Sequence, residues 1–220
     1  MPDSAARILI VDDHSIVRRG LSLLLNQERD LTVCGEAGDA EATLRAIEAD
    51  RPDLVIVDIA LGGADGLELI KQVRARWPDI RMLALSMHSE SLYAQRSLQA
   101  GAHGYLMKER APEEVLDALR RVLAGGVYVS DELQRAWLGR LVSRREQGDR
   151  LPIQTLTDRE LAVLRLMGLG YGTHEAAAAL NLSMKTVQTY HQHIKRKLGL
   201  ETGADLARFA TLWLRSESGG

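Results

Sequence analysis

The chain has few of the features that mark secreted or membrane proteins. It contains one cysteine, Cys34, so an internal disulfide is excluded, and we expect a small buried side chain in a reduced, cytoplasmic protein. Proline and aromatic residues are also scarce. No apolar stretch approaches the roughly 20 residues that a membrane-spanning helix needs. The first residues lack the basic region of a secretory signal, which again favours a cytoplasmic location.

A strong excess of charge of one sign is absent too, because the formal net charge is −2. The charges are nevertheless unevenly spread. Residues 1–125 hold 20 acidic and 15 basic residues, and residues 126–220 hold 10 acidic and 13 basic residues. The small basic excess indicates that only the second part meets a polyanion. At 220 residues the chain can form one large domain or two modest ones, each with a core.

The first half alternates between short apolar runs and amphipathic segments. The strand candidates are 7–11, 31–35, 54–57, 82–85 and 104–107, and the helix candidates are 15–27, 40–48, 67–77, 91–100 and 112–123. The third and fourth runs are continuously apolar, which is typical of parallel strands covered on both faces. Five alternations of strand and helix predict a doubly wound α/β domain.

Four of the five predicted strands end at side chains that can bind a metal or a phosphoryl group, or act as a nucleophile. The first ends at Asp12 and Asp13, the third at Asp58, the fourth at Ser86 and the fifth at Lys108. In parallel α/β sheets the functional crevice lies beyond the carboxyl ends of the strands. Each residue alone is most often a helix cap or a solvated loop residue. All five at one edge of the same sheet indicate a site.

This set of residues suits a divalent metal and a phosphoryl group. A hard cation such as Mg²⁺ takes oxygen ligands and keeps several waters, so Asp12, Asp13 and Asp58 suffice to hold it. Phosphoryl transfer must also stabilise charge on the phosphoryl oxygens, to which Lys108 and Ser86 can contribute. Asp58 would be the nucleophile that forms an aspartyl-phosphate.

The sequence of the second half predicts a linker followed by an all-α domain. Gly125-Gly126 closes the last helix of the first domain, and 143–150 is charged and polar. We therefore predict a first domain at 1–126, a linker at 127–152 and a second domain at 153–220. Thr157 with Glu160 forms a capping box that starts a helix. Three further helices are predicted: a short one at 175–180, one capped by Ser183, and a last one at 204–214. This succession of short helices is typical of a helix-turn-helix domain.

The helix after Ser183 has one apolar side and one polar side. Val187, Ile194 and Leu198 are predicted to face the core, with Met184 adding to that packing. The opposite side carries Gln188, Thr189 and Gln192, and the basic residues beside them are Lys185, Lys195, Arg196 and Lys197. Glutamine can pair with adenine and threonine can contact a thymine methyl group. On these residues alone, a surface helix with a solvated basic end is about equally well supported.

The first domain resembles the receiver domain of bacterial two-component response regulators. The resemblance covers roughly residues 7–125 and rests on Val11-Asp12-Asp13, Asp58 with Asp65-Gly66, Ser86, and Gly104-Tyr105-Leu106-Met107-Lys108. It implies a flavodoxin-like fold and phosphorylation of Asp58 by a sensor histidine kinase with Mg²⁺. It further implies that Asp13 binds the metal directly, that Asp12 binds it through water, and that the carbonyl of Ala60 completes the ligands. Ser86 would be the switch hydroxyl, and Tyr105 the aromatic that turns inward.

The second domain resembles the LuxR-type helix-turn-helix. The matching segments are Leu156-Thr157-x-Arg159-Glu160-x-x-Val163-Leu164, Leu182-Ser183-x-x-Thr186-Val187, and Ile194-x-x-Lys197-Leu198-Gly199. With a receiver, this is the architecture of NarL/FixJ-type response regulators. The resemblance implies base contacts from Gln188, Thr189 and Gln192 and phosphate contacts from Lys185 and Lys195. It also implies a homodimer on double-stranded DNA, formed through 204–214.

We therefore expect a phosphorylation-dependent transcription regulator that catalyses only its own phosphorylation and dephosphorylation. One alternative is an aspartate-nucleophile phosphohydrolase, although such enzymes usually carry a second Asp two positions after the nucleophile, where this chain has Ala60. Another is a receiver switch that acts through protein contacts without binding DNA. Turnover of an external phosphate ester, or loss of specific DNA binding, would distinguish them.

Overall fold

The computed structural model describes residues 5–61, 64–87, 89–142 and 152–217. The chain divides into two compact units, residues 1–139 and 140–220, each with its own hydrophobic core. Within the described residues, no helix combines the length and the apolar character required to cross a membrane.

A five-stranded parallel sheet forms the centre of the first unit. Its strands are β1 (Ala6–Val11), β2 (Leu31–Ala37), β3 (Leu54–Asp58), β6 (Arg81–Ser86) and β7 (Gly104–Met107), in the order β2-β1-β3-β6-β7. Two very short strands, β4 (Ala60–Leu61) and β5 (Ala64–Asp65), form an antiparallel hairpin after β3. The predicted doubly wound α/β fold is confirmed, and the order reverses between β1 and β3, where a crevice opens in such folds.

Helices cover both faces of this sheet. They are α1 (Ser15–Leu25), α2 (Ala40–Asp50), α3 (Gly66–Arg76), α4 (Glu90–Ala100) and α5 (Pro112–Leu123). On one face α1 and α5 pack against the sheet in an apolar cluster that includes Ile10, Leu25, Ile56 and Leu119. β3 is buried at every position, which explains its unbroken apolar sequence.

The chain beyond α5, as far as residue 139, also belongs to the first unit. Tyr128 pairs with Gly104 at the free edge of β7, and helix α6 (Asp131–Val142) follows. This helix is not predicted by the sequence pattern of 127–152, which is that of a linker. The start of α6 could have been predicted from Ser130, because serine is a preferred N-cap residue. In the structure its hydroxyl accepts a hydrogen bond from the amide of Leu133. The charged stretch 143–150 lies outside the described residues.

The second unit is helical, as predicted. A 3₁₀ turn (Pro152–Thr155) precedes α7 (Asp158–Gly168), α8 (Thr173–Ala179), α9 (Met184–Leu198) and α10 (Gly203–Glu217). The capping box of Thr157 and Glu160 is present, and Ser183 caps α9 by accepting from the amide of Thr186. Helices α7 and α10 meet at Gly168, where an added Cβ would lie 2.7 Å from the Ala210 carbonyl oxygen.

Candidate functional site

Lys108 joins the ends of three strands of the sheet. Its ammonium donates hydrogen bonds to Asp12 Oδ2 at 2.5 Å and to Asp58 Oδ2 at 2.7 Å. Asp12 and Asp58 are each only 1% exposed. The Lys108 amide also donates to the Ser86 carbonyl at 2.8 Å, so the end of β6 adjoins the same centre. The structure therefore brings together the side chains of Lys108, Asp12 and Asp58, with the backbone of Ser86 next to them.

Asp13 and His14 extend the centre toward solvent. Donor atoms of Asp12, Asp13, His14 and Asp58 all lie within 4.8 Å of one another. His14 Nδ1 is 2.7 Å from Asp13 Oδ1 and 3.3 Å from Asp12 Oδ1. Three converging carboxylates provide the oxygen donors that a hard divalent cation takes in proteins, so the residues present fit Mg²⁺.

Backbone contacts hold the carboxylates in place. The amide of His14 donates to Asp12 Oδ1 at 2.8 Å, and the amide of Ala60 donates to Asp58 Oδ1 at 3.0 Å. Arg18, on α1, donates from Nη1 to the Asp12 carbonyl at 2.6 Å. At position 60 the chain therefore supplies backbone to the site and no second carboxylate.

Burial and charge act in opposite directions on the central pair. Burial raises the pKa of Asp58 above its usual range, and Lys108 only partly offsets this effect. Burial alone would lower the pKa of Lys108, but its hydrogen bonds to Asp12 and Asp58 outweigh burial, and the pKa is raised. The site thus contains a firmly charged ammonium beside a carboxylate that is costly to keep ionised.

Ser86 and Tyr105 lie on neighbouring strands and are both completely buried. Parallel pairing aligns Ala84 with Tyr105 and Ser86 with Met107. The side chain of Tyr105 is turned into the protein in this structure, which is the position that the resemblance assigns to the aromatic after switching.

In the second unit, α9 presents the predicted polar face to solvent. Lys185, Gln188, Thr189 and Gln192 are exposed, whereas Val187 and Ile194 are completely buried. Lys195 is half-buried, and its ammonium lies 3.4 Å from the Glu201 carbonyl. The exposed face has the size and chemistry of a helix that reads base edges in a major groove.

Two expectations about α9 need correction. Met184 does not add to the core, because it is 53% exposed at the first residue of the helix. Lys197 lies under the helix rather than beside its polar face, and it donates to Glu160 Oε2 at 2.6 Å. His191, on the same helix, is half-buried, and burial together with Lys195 lowers its pKa.

Comparison with known proteins identifies both units. Residues 8–120 match the response regulator receiver domain family, and residues 154–210 match the bacterial regulatory proteins of the luxR family. The chain belongs to the two-component response regulators of the NarL/FixJ type, with a receiver domain and a LuxR-type DNA-binding domain.

Individual relatives cover nearly the whole chain. The oxygen regulatory protein NreC of Staphylococcus aureus is 33% identical over 208 residues, 93% of this chain and 96% of NreC. RcsB from Salmonella enterica serovar Typhimurium, bound to promoter rprA with phosphomimetic BeF3-, is 26% identical, with a TM-score of 0.67 over 94% of this chain and 99% of RcsB. A structure of two RcsB dimers bound to two parallel DNAs gives 27% identity and a TM-score of 0.62, over 94% and 99% of the two chains.

Two polar residues near the carboxylates, His14 and Arg18, are not predicted as site residues by the sequence patterns. His14 follows the paired aspartates directly, so its position was a usable signal. Arg18 left no such signal, because its contact with the Asp12 carbonyl depends on how α1 packs beside β1.

Proposed function

We propose that the protein is a DNA-binding transcription regulator that is switched by phosphorylation of Asp58. The observation that carries the proposal is the contact of the Lys108 ammonium with both Asp12 and Asp58, beside Asp13 and Ser86. A sensor histidine kinase would supply the phosphoryl group in the cytoplasm. We assign the phosphoacceptor to residues 1–126 and DNA binding to residues 153–220; of the segment 127–152 that joins them, the part up to residue 139 packs with the first unit.

Each residue of the centre has a task in the transfer. A carboxylate oxygen of Asp58 bonds to the phosphorus of the kinase phosphohistidine, while the P–N bond breaks and the imidazole leaves with its electron pair. Asp12, Asp13, Asp58 and the Ala60 carbonyl would hold Mg²⁺, which neutralises charge on the phosphoryl oxygens. Lys108 keeps a positive charge next to Asp58, where the phosphoryl oxygens arrive. Asp58 returns to its free form by hydrolysis, and no external substrate is turned over.

Ser86 and Tyr105 would transmit the change. The Ser86 hydroxyl would donate to a phosphoryl oxygen, and phosphorylation would favour the inward position of the Tyr105 ring, which this structure already has. Phosphorylation then shifts the population toward the form in which the second unit pairs on DNA, rather than creating that form anew. Exposed Leu212 on α10, beside a groove of about 490 Å³ lined by Leu200 and Phe209, supports pairing through 204–214.

Labelling by a small phosphodonor tests the acceptor. With acetyl phosphate and Mg²⁺ we expect one phosphoryl group per chain, and Asp58→Asn should abolish it, because an amide is no nucleophile toward phosphorus. Intact-mass measurement gives the stoichiometry. Asp79→Asn is a matched control, since Asp79 is exposed and precedes β6 at the opposite edge of the sheet. Labelling that survives Asp58→Asn would disprove the assignment.

Genome-wide binding by the protein, with and without phosphodonor, tests the DNA-binding domain and supplies an operator. On that operator, Gln192→Ala should weaken binding by about 1–3 kcal/mol while affinity for unrelated DNA is nearly unchanged, because a base contact is lost. Lys185→Ala should instead weaken binding to every sequence and reduce the salt slope by about 1. Equal loss on both DNAs for Gln192→Ala would contradict base reading. Absence of any preferred genomic sequence would favour a switch that acts through protein contacts.

A further inference from the structure

We propose that His14 is a ligand of the cation site and makes that site prefer Mn²⁺ over Mg²⁺. This inference rests on the proposed metal site and concerns which ion it selects. His14 is the first residue after the paired aspartates, and its ring faces the carboxylates rather than α1. Its Nδ1 lies closer to Asp13 Oδ1, at 2.7 Å, than to Asp12 Oδ1, at 3.3 Å.

The donor set differs from one made of oxygen atoms alone. Carboxylates bind Mg²⁺ and Mn²⁺ alike, but an imidazole nitrogen favours first-row transition ions over Mg²⁺. The backbone fixes where this imidazole stands, because the His14 amide donates to Asp12 Oδ1 at 2.8 Å. The side chain is 64% exposed, so the ring can exchange its contact with Asp13 for a cation without disturbing the core.

Mn²⁺ provides a direct test, because it is paramagnetic and pulsed electron paramagnetic resonance detects a coordinated nitrogen. The full-length protein with Mn²⁺ should show ¹⁴N coupling and should bind Mn²⁺ about tenfold more tightly than Mg²⁺ in competition. His14→Ala should abolish the coupling and remove most of that preference, while the affinity for Mg²⁺ stays nearly constant. His174→Ala, at an exposed histidine of the second unit, should leave both properties unchanged.

The outcomes separate this inference from the proposed function. Mn²⁺ that binds without nitrogen coupling, or coupling that persists in His14→Ala, overturns the role of His14 and leaves the carboxylate site intact. Asp13→Asn should weaken the binding of both ions. If the unaltered protein binds neither ion, the role of His14 and the proposed cation site both fail.

A second inference comes from a different part of the first unit. Glu90 begins α4, four residues after Ser86, and its Oε1 accepts a hydrogen bond from the Ser130 amide at 2.6 Å. Ser130 in turn caps α6. Next to it, the Tyr105 amide donates to the Tyr128 carbonyl at 2.9 Å. The chain that leads into α6 is therefore fastened on one side to α4, which follows Ser86 in the sequence, and on the other to β7, which carries Tyr105.

We infer that Glu90 couples movement near Ser86 to α6. A carboxylate that accepts from an amide at this distance makes a strong, charge-assisted bond. Gly104 permits the close approach on the other side, because an added Cβ would lie 3.1 Å from the Tyr128 carbonyl oxygen. A displacement of the start of α4 would then pull on the N-cap of α6, and α6 leads on toward the second unit.

Hydrogen exchange of the full-length protein tests the coupling. Mg²⁺ with beryllofluoride, a phosphoryl mimic, should change exchange at residues 130–138 in the unaltered protein. Glu90→Ala should raise basal exchange there by about tenfold, because one anchoring bond worth about 1.4 kcal/mol is lost, and it should abolish the response to the mimic. Glu113→Ala, at an exposed residue in the first turn of α5, is the control.

Protection of residues near Asp58 by the mimic serves as the internal reference. If these residues respond and 130–138 respond equally in both variants, or in neither, the coupling through Glu90 is overturned. If the residues near Asp58 do not respond in the unaltered protein, the proposed phosphoacceptor itself fails, and the coupling with it.

Discussion

Two buried carboxylates, Asp58 and Glu160, have environments with opposite effects on their pKa values. Burial raises the pKa of Asp58 more than Lys108 lowers it. Burial also raises that of Glu160, but the hydrogen bonds from Lys197 and Thr157 outweigh this, and its pKa is lowered. The ionised form is therefore disfavoured at the acceptor and favoured at Glu160. The ion pair of Glu160 with Lys197 fixes α9 against α7.

Replacing Glu160 should expose this structural role. Glu160→Gln keeps a capping oxygen but loses the ion pair with Lys197. We expect the free energy of unfolding to fall by about 1–3 kcal/mol at pH 7. Because the folded-state pKa is lowered, this stabilisation is complete above the ordinary glutamate value of about 4.3 and disappears as the pH falls through the folded-state value. Thermal unfolding between pH 7 and pH 3 should show the difference from the unaltered protein shrinking.

Glu175→Gln is the matched control for that experiment. Glu175 has the same capping position on α8, where it accepts from the Gly172 amide, but it is exposed. Glu175→Gln should therefore change the free energy of unfolding little at any pH. A loss for Glu160→Gln that does not change with pH would show that the ion pair is not its source.

Sequence could identify the residues of the acidic centre because each one ends a strand. Asp12, Asp58 and Lys108 are separated by up to 96 positions, yet the parallel sheet brings all three ends to one edge. Lys197 was assigned to the polar surroundings of α9 because it belongs to a basic cluster at the helix end. Its partner Glu160 lies 37 residues away, and only the packing of α7 on α9 brings them together.

At the start of α3, Gly66 has the shortest added-Cβ distance of the described glycines. A Cβ on Gly66 would lie 2.3 Å from the Asp58 carbonyl oxygen and 2.6 Å from the Ile59 Cα. Neither atom belongs to a flexible side chain, so any larger residue must displace the backbone of the phosphoacceptor. The glycine that ends the hairpin thus determines how closely α3 approaches β3.

Gly66→Ala should therefore destabilise the first unit by about 1–3 kcal/mol, the usual cost of overpacking, and slow labelling by acetyl phosphate. Denaturant unfolding and the labelling rate measure the two effects. Gly20→Ala, in the middle of α1 with nothing within 4 Å of its added Cβ, should raise stability by about 0.5–1 kcal/mol. Equal effects of both substitutions would contradict the close approach of α3.

Periodic apolar patterns predicted the longer helices and strands to within a few residues at each end. The hairpin of β4 and β5 could not be predicted in this way, because strands of two residues are too short to show a period. Helix α6 was missed for another reason. It follows a glycine pair and precedes a charged stretch, and that composition suggested a linker even though Ser130 provides an N-cap.

At the scale of the whole molecule, the two units have separate cores and should unfold in separate steps. Mg²⁺ with beryllofluoride should raise the unfolding temperature of the first unit only, because a ligand stabilises the structure that binds it. At one hundred times its Kd, a ligand adds about 2.7 kcal/mol to the free energy of unfolding. Calorimetry measures both transitions, and Glu160→Gln identifies that of the second unit. A ligand that raised both transitions equally would show that the units unfold together.

The pairing of Tyr128 with Gly104 also bears on how this protein can be divided. β7 is the last strand of its sheet, and residues 127–129 cover its outer edge. A fragment that stopped at Gly126 would leave the Tyr105 amide and its neighbours open to a strand from another molecule, which is a familiar route to aggregation. Ending the fragment after α6 would keep that edge protected, so the isolated first unit of this protein should stay monomeric in solution when it retains this short cover.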